Sequence, residues 1–282
     1  MAFLHAKEFQ AANKYNIDFT NKLMDEFYGW IQWRPDGKDT LLDIGSGPAN
    51  SLRMSFYPRL PKSFERFVCS DISPPMVDLQ KQEFRGYDKV SSVILDISAD
   101  ISDDLAGKLG TFDHITSFSC LHWISDQQKA MDNIFKLLKP GGDAFLSIVA
   151  DSPINDAILE VCDQPQWKEF FESTKDFYIH PYFTLDEAKA KGLGFMKKAG
   201  FVDLKAELRE EWFDFKDDDE KENFLRGFPN IFSKEATEEE EEMIFRERVK
   251  VLDKFVLFLH RNNVGKIRKP NSYLILYGRK EQ

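Results

Sequence analysis

The chain has 282 residues, 42% of them hydrophobic, which is enough for one large domain or for a core domain with an insert. A formal net charge of −10 disfavours nucleic acid as a partner, because a polyanion would be repelled. No signal-peptide pattern opens the chain, no segment approaches the roughly 18 apolar residues of a membrane span, and the three cysteines are few and odd in number. We therefore expect a soluble, cytoplasmic protein with reduced thiols and no membrane span.

The predicted elements alternate between helix and strand along the first half of the chain. Apolar residues at helical spacing predict one or two helices over residues 8–34. Apolar runs then predict five strands, each followed by a helix, at residues 40–44, 66–72, 91–97, 112–121 and 143–150. The helix before the fifth strand is predicted to close at Pro140 and the two glycines after it. This alternation predicts a doubly wound parallel α/β sheet.

The second half of the chain departs from this alternation after residue 150. An aromatic-rich, partly helical stretch over 151–190 predicts an insert that lies over the top of the sheet. A helix and a strand from Val202 then resume the core, and a last strand at 272–279 is predicted to enter from the opposite direction. The 26 phenylalanines fit either ordinary core packing or a pocket for a long apolar ligand.

The stretch "LLDIGSGPAN" at 41–50 lies where ligands bind in such sheets, beyond the carboxyl end of the first strand. A dinucleotide site needs a third glycine three residues after the second, to bring a helix N-terminus against a pyrophosphate. Here Asn50 stands at that offset, and Pro48 removes an N–H group. NAD is therefore disfavoured as the ligand.

Three predicted strands each end near an aspartate, and this set favours an adenosine site without phosphates. Asp43 ends the first strand, and Gly45 and Gly47 would let the backbone approach an uncharged nucleoside. Asp71 would accept both ribose hydroxyls, and Asp96 would accept from the exocyclic adenine amine. Each aspartate alone would be read as a helix cap or turn residue. The three in register predict a site for S-adenosylmethionine.

Other residues at the same strand ends complete the predicted cofactor site, and no metal ligands are assigned. These residues are Ser46, Ile72, Met76, Ile97, Ser119 and Cys120.

Five segments together resemble the class I methyltransferases: "LLDIGSGPAN", "CSDISPPMV", "VILDI", "FSCLHWISD" and "LLKPGG". The "CLHW" element and the N-terminal segment are similar to those of arthropod juvenile hormone acid methyltransferases, which methylate the carboxylate of farnesoic or juvenile hormone acids. In that family a tryptophan of the "LHW" element and a glutamine of the N-terminal helix hold the substrate carboxylate. The tryptophan corresponds to Trp123, whereas Asn16 stands at the glutamine position and Ala49 at a position that generally holds glycine.

The resemblance implies a seven-stranded, mostly parallel, Rossmann-like sheet with a helical cap and a hydrophobic carboxylic acid as substrate. Six aromatic residues of the cap would either line the pocket or hold the insert on the core, namely Trp167, Phe170, Phe171, Phe177, Tyr178 and Tyr182. The implied division is an N-terminal helical segment on the substrate side (1–35), a cofactor-binding core (36–150), cap segments (151–190 and 216–262) and segments that complete the core (191–215 and 263–282). Both a monomer and a homodimer remain open.

Methyl transfer from a sulfonium to a carboxylate needs no general base, because a carboxylic acid with a pKa of roughly 4–5 is ionised at neutral pH. The protein has to align the oxygen, the methyl group and the sulfur. N–H donors from Trp123 and Asn16 would suit this task. His122 would act as a base on a phenol or an amine, or it would be a hydrogen-bonded structural residue. Open alternatives are a methyltransferase for another small acid or phenol, and a non-catalytic binder of S-adenosylmethionine or of hydrophobic acids.

Overall fold

The computed structural model of the chain describes residues 6–174, 185–212, 215, 217–228, 232, 236–253 and 270–282. Three of the predicted cap aromatics, Phe177, Tyr178 and Tyr182, lie outside the described residues, as does the end of the predicted cap segment from residue 254. Within the described ranges, no helix combines the length and the apolar character that crossing a membrane requires.

The described residues form one seven-stranded sheet with the order β3-β2-β1-β4-β5-β7-β6. Strands β1 to β5 run parallel, and β7 is antiparallel to both of its neighbours, β5 and β6. This confirms the predicted mostly parallel sheet and the reversed last strand. The strands are β1 (Thr40–Ile44), β2 (Arg66–Asp71), β3 (Val90–Ile94), β4 (Phe112–Phe118), β5 (Leu138–Asp151), β6 (Val202–Glu211) and β7 (Asn271–Arg279).

Helices cover both faces of the sheet, which is why β1, β4, β5 and β7 are buried almost throughout. They are α1 (Ala6–Ala12), α2 (Lys14–Phe27), α3 (Pro74–Glu83), α4 (Asp103–Leu109), α5 (Gln127–Leu137), α6 (Pro153–Cys162), α7 (Lys168–Phe171), α8 (Leu185–Ala199), α9 (Asp218–Arg226) and α10 (Glu238–Leu252). Short helical turns lie at Tyr28–Trp30, Leu52–Phe56, Tyr57–Arg59 and Leu121–Trp123.

The apolar side chains of the described residues gather into two cores on the sheet, a third core among the helices that follow β5, and a small cluster of Ala6, Met76 and Leu79. One core joins β-strand residues to Met131 and Met196 of α5 and α8, and another joins them to Phe19 of α2. The third contains Ile154 of α6 and Ile244 of α10, together with residues of α7 and α9. Helices α6, α7, α9 and α10 therefore bury their apolar faces mainly against one another, as a cap with its own core does.

Several predicted boundaries are wrong. The fourth strand, predicted over 112–121, ends at Phe118, and a helical turn begins at Leu121. Strand β3 ends at Ile94, where its pairing with β2 stops at Asp71, so Asp96 follows the strand instead of ending it. Helix α5 ends at Leu137, and β5 begins at Leu138, so Pro140 and its glycines lie in a strand. Lys139 precedes a proline, which disfavours the helical conformation, and Gly141 N–H instead donates to the carbonyl of Lys280 at 3.0 Å.

Candidate active site

A cavity of about 560 Å³ opens at the carboxyl edge of β1, β2 and β4 and extends under the cap. The predicted site residues that line it are Asn16, Gly45, Gly47, Asp71, Ile72, Met76, Asp96, Ile97, Ser119, Cys120, His122 and Trp123. The fold thus brings residues from the N-terminal segment and from four strand ends to one wall. Asp43 and Ser46 do not line the cavity, and their predicted contact with the cofactor stays a prediction.

Two glycines make the turn after β1. Gly45 and Gly47 have φ angles of 67° and 55°, in the left-handed region that favours glycine. A Cβ atom on Gly45 would lie 2.0 Å from Cys120 Sγ, so only glycine fits between β1 and β4 there. A Cβ atom on Gly47 would meet only Phe9, at an ordinary 3.5 Å. Gly45 is therefore required for two reasons: its backbone is left-handed, and a Cβ atom there would clash with Cys120.

Asp43 holds this turn in place without lining the cavity. Its carboxylate accepts hydrogen bonds from Thr116 Oγ1 at 2.6 Å and from Ser46 Oγ at 2.8 Å. Ser46 in turn ties the turn to β2, because its N–H donates to the carbonyl of Ser70 at 2.8 Å. Burial raises the pKa of Asp43 to about 7, although the two hydroxyl donors oppose the rise. Asp43 and Ser46 thus hold the turn that forms part of the cavity wall, although neither residue lines the cavity itself.

A chain of side-chain amides ties the N-terminal helices to the same turn. Asn16 Nδ2 donates to Asn13 Oδ1, and Asn13 Nδ2 donates to Asn50 Oδ1 at 2.6 Å. Asn50 Nδ2 donates to the carbonyl of Gln10 at 3.1 Å. Because an amide nitrogen carries two hydrogens, the bond to Asn13 uses one hydrogen of Asn16 and holds the side chain at the cavity wall.

The "LHW" element forms a single helical turn, Leu121–Trp123, directly after β4. His122 is buried and Trp123 is partly buried, and their rings lie 4.9 Å apart between centroids at an angle of 43°. Both line the cavity. The turn therefore places an indole and an imidazole in the same cavity as Asp71, which ends β2, and Asp96, which follows β3.

Comparison with known proteins shows what the chain is similar to. Residues 42–144 match a family model described as a methyltransferase domain. The juvenile hormone acid O-methyltransferases of Drosophila melanogaster and Bombyx mori are 33% and 30% identical to it over 210 and 198 residues, covering 74% and 70% of this chain and 69% and 68% of the relatives. The chain belongs to the class I S-adenosylmethionine-dependent methyltransferases. Within that family it resembles the juvenile hormone acid O-methyltransferases.

The fold of a solved methyltransferase agrees with this assignment. The phosphoethanolamine N-methyltransferase 2 of Haemonchus contortus, in complex with S-adenosyl-L-methionine, superposes with a TM-score of 0.53 at 15% identity. The match covers 98% of this chain and 57% of that one. The curated relatives and the family model, which this fold matches, show that the protein is an S-adenosylmethionine-dependent O-methyltransferase.

The strand ends of this methyltransferase fit the nucleoside half of that cofactor. Asp71 accepts the N–H groups of Gly47 and Ser73, one on each carboxylate oxygen and both at 2.9 Å. Burial raises the pKa of Asp71, and these backbone donors oppose the rise. Each oxygen keeps a further lone pair for a ribose hydroxyl. Asp96 accepts from the N–H and the hydroxyl of Ser98 on Oδ1 and lines the cavity beside it.

Ala49 is the residue at which the resemblance implies a glycine. Its φ angle of 62° lies in the left-handed region, so the alanine is strained there. Its methyl group is fully buried in the core that contains Leu52 and Phe56, and Ala49 does not line the cavity. Alanine at this position therefore strains the backbone, but its methyl group does not obstruct the cavity.

Replacing Ala49 with glycine is expected to change the free energy of unfolding by less than about 1 kcal/mol. Relief of about 1–2 kcal/mol of left-handed strain is offset by the loss of a buried methyl group, about 0.8 kcal/mol, and by about 0.4–1 kcal/mol of unfolded-chain entropy. Urea unfolding of the two proteins measures the difference. A change above about 2 kcal/mol in either direction would show that one of these contributions has been misjudged.

Gln127 is a buried residue that sequence reasoning missed. Its side chain is 2% exposed, and its amide nitrogen donates to the carbonyls of Leu121 and Ile124, both at 2.6 Å. Gln127 therefore stabilises the helical turn that contains His122 and Trp123. A glutamine in the first turn of a helix gives no such signal, because its acceptors are backbone atoms of the preceding loop.

A second feature that sequence reasoning missed is the far wall of the cavity, which lies toward α6, α9 and the start of β7. It contains the apolar residues Ile154, Phe224 and Phe228 and three buried polar residues, Ser152, Asn155 and Asn271. The polar set joins the end of β5, the first turn of α6 and the start of β7. No local pattern links positions so far apart in the sequence.

Proposed function

We propose that this methyltransferase forms the methyl ester of a hydrophobic carboxylic acid, such as a juvenile hormone acid, farnesoic acid or a fatty acid. The observation that carries the proposal is one continuous cavity. It runs from Asp71 and Asp96 past Asn16 and Trp123 to an apolar wall of cap residues. Such a cavity offers N–H donors for a carboxylate and an apolar compartment for the chain behind it.

The charged residues of the cavity lining favour a substrate that has one carboxylate and an apolar body. Among the described residues that line the cavity, none is a lysine or an arginine. Polyanionic acids such as aconitate would need several such cations for their extra carboxylates. An acid with one carboxylate and an apolar body needs only the donors beside the methyl group. The names of the relatives from Drosophila melanogaster and Bombyx mori support the same substrate class.

The chemistry needs alignment more than proton transfer. S-adenosylmethionine, when bound, supplies a methyl group already activated by the sulfonium. The protein must keep the acid ionised in a pocket whose apolar walls would raise its pKa. Donation from the Trp123 indole N–H and from the Asn16 amide would stabilise the carboxylate and fix its orientation. On this proposal His122 supports the turn and takes no proton.

A panel of acids tests the proposal. Purified protein is incubated with S-adenosylmethionine and farnesoic acid, juvenile hormone acid, a saturated twelve-carbon acid or aconitate, and methyl esters are detected by mass spectrometry. We expect esters of the first three acids and none of aconitate. Cofactor binding without any ester would favour the phenol-methylating or the non-catalytic alternative, and phenols added to the panel separate those two.

Replacing Trp123 with leucine is expected to lower kcat/KM for the hydrophobic acid at least tenfold, because the carboxylate loses a donor in a low-dielectric site. Trp123→Phe should lose nearly as much, since it keeps an aromatic ring but removes the N–H. S-adenosylmethionine affinity, measured by calorimetry, should change less than about twofold in both variants. Trp212, which is 51% exposed, provides the matched control as Trp212→Leu. Unaltered turnover in Trp123→Phe would remove the indole N–H from the proposal.

A further inference from the structure

Three polar side chains form a buried cluster on the far wall of the cavity. Asn271 is 3% exposed, and Ser152 and Asn155 are each 4% exposed. All three line the cavity, next to the apolar side chains of Ile154 and Phe228. A buried amide is costly unless its polar atoms find partners.

The hydrogen bonds of Ser152 fix the orientation of the Asn271 amide. Ser152 Oγ accepts the backbone N–H of Ile154 at 3.2 Å as the N-cap of α6. Its single hydroxyl hydrogen is directed at Asn271 Oδ1, 2.6 Å away. The Asn271 carbonyl oxygen is therefore engaged with Ser152, and the NH₂ group is the part left for the cavity. Within the described part of the chain, the Asn271 side chain makes no other hydrogen bond to protein.

The order of the strands separates Asn271 from the proposed carboxylate position. The turn that carries Trp123 follows β4, whereas Asn271 begins β7, with β5 between them. Because β7 is antiparallel to β5, its first residue lies at the same edge of the sheet as the end of β4. Neighbouring strands are about 4.8 Å apart, so the two strands are about 10 Å apart. A group that contacts Asn271 therefore lies well along the substrate chain from its carboxylate.

We propose that the Asn271 amide donates a hydrogen bond to an oxygen on the chain of the acid, a hydroxyl, keto or epoxide oxygen some way from the carboxylate. This inference rests on the proposed function and adds to it one residue, Asn271, that distinguishes an oxygenated hydrophobic acid from its unsubstituted parent. An amide NH₂ group selects for acceptors, and an unsubstituted hydrocarbon at the same place leaves that donor without a partner. Sites built in this way discriminate against the analogue that lacks the polar atom.

The test compares matched acids on wild type and Asn271→Leu. The pairs are farnesoic acid with its terminal epoxide, and dodecanoic acid with derivatives that carry one hydroxyl at successive chain positions. For wild type we expect kcat/KM to be about three- to tenfold higher for at least one oxygenated member than for its parent acid. In Asn271→Leu that ratio should fall to about one, because the loss of the donor falls on the oxygenated member of each pair.

Two variants separate donation by Asn271 from structural effects. Asn271→Asp keeps an oxygen that accepts from Ser152 but has no N–H to donate, so it should also lose the preference. Ser152→Ala leaves the amide in place but releases its orientation, and it should reduce the preference only in part. Cofactor affinity within about twofold of wild type shows that each variant is folded, because Asn271 lies far from β1 and β2.

The outcomes also separate this inference from the function on which it rests. If wild type esterifies the acids but Asn271→Leu lowers kcat/KM equally for both members of every pair, Asn271 contacts the carboxylate or only shapes the wall, and the inference is overturned. It is likewise overturned if wild type shows no preference for any oxygenated acid. If wild type forms no ester from any acid, the proposed function fails and this inference fails with it.

Discussion

Replacing Gly45 with alanine is expected to lower the free energy of unfolding by about 2–5 kcal/mol and to weaken S-adenosylmethionine binding about tenfold or more. A Cβ atom there would lie 2.0 Å from Cys120 Sγ and 2.4 Å from Cys120 Cβ, so the ends of β1 and β4 must move apart. Both ends form the cavity wall. Urea unfolding without cofactor and calorimetric titration with cofactor measure the two effects.

Gly47 and Cys120 supply the controls. Gly47→Ala carries the same left-handed strain but meets only Phe9 at 3.5 Å, so it should cost about 1–2 kcal/mol. Adding Cys120→Gly to Gly45→Ala should restore much of the lost stability, because the nearest remaining atom of residue 120 is then the backbone Cα at 3.8 Å. Cys120→Ala should not restore it, since the clash with Cβ remains. Equal destabilisation by Gly45→Ala and Gly47→Ala would refute the steric explanation.

Replacing His114 with leucine is expected to destabilise the protein by about 3–5 kcal/mol near pH 6. His114 is buried at the amino end of β4, with Nδ1 2.6 Å from Asp143 Oδ1 and Nε2 2.8 Å from Asp39 Oδ1. Without the imidazolium, two buried carboxylates face each other with no shared cation. Chemical denaturation of both proteins at one pH gives the difference directly.

The pH dependence of stability tests the same cluster. Burial alone would lower the pKa of His114, but the hydrogen bonds to Asp143 and Asp39 outweigh it and raise the pKa to about 9. A raised pKa means that the folded protein holds the proton more tightly than the unfolded chain. The stabilisation is therefore complete below about pH 6.5 and is lost as pH rises to about 9, a difference of about 3 kcal/mol.

The leucine variant is the control for this titration. In His114→Leu the decline between about pH 6.5 and 9 should be largely absent, because the titrating group has gone. Asp143→Asn should keep a histidine whose pKa is less raised, so the decline should move to lower pH. A wild-type stability that stays level over the same interval would show that His114 is neutral in the folded protein.

The features predicted correctly depend on short stretches of sequence. The apolar runs that end at Asp43 and Asp71 each describe a strand entering a turn, and Gly45 and Gly47 supply the left-handed conformations that such a turn needs. Parallel strands then bring their carboxyl ends to one edge, which is why residues from different strands could be assigned to one site. The early start of β5, at Leu138, was missed because its partner is remote: Gly141 N–H donates to the carbonyl of Lys280, near the other end of the chain.

The sequence by itself determined the sheet, the glycine turn and the identity of the residues at the strand ends, since each follows from periodicity or from backbone conformation within a few residues. Only the tertiary structure decided how those residues are held. It shows that Gly45 is constrained by Cys120 whereas Gly47 is not, that His114 lies between two aspartates, and that Ser152 orients Asn271. These contacts join residues that are remote in sequence. Their energies depend on the distance between the groups and on their burial, and no short stretch of sequence determines either quantity.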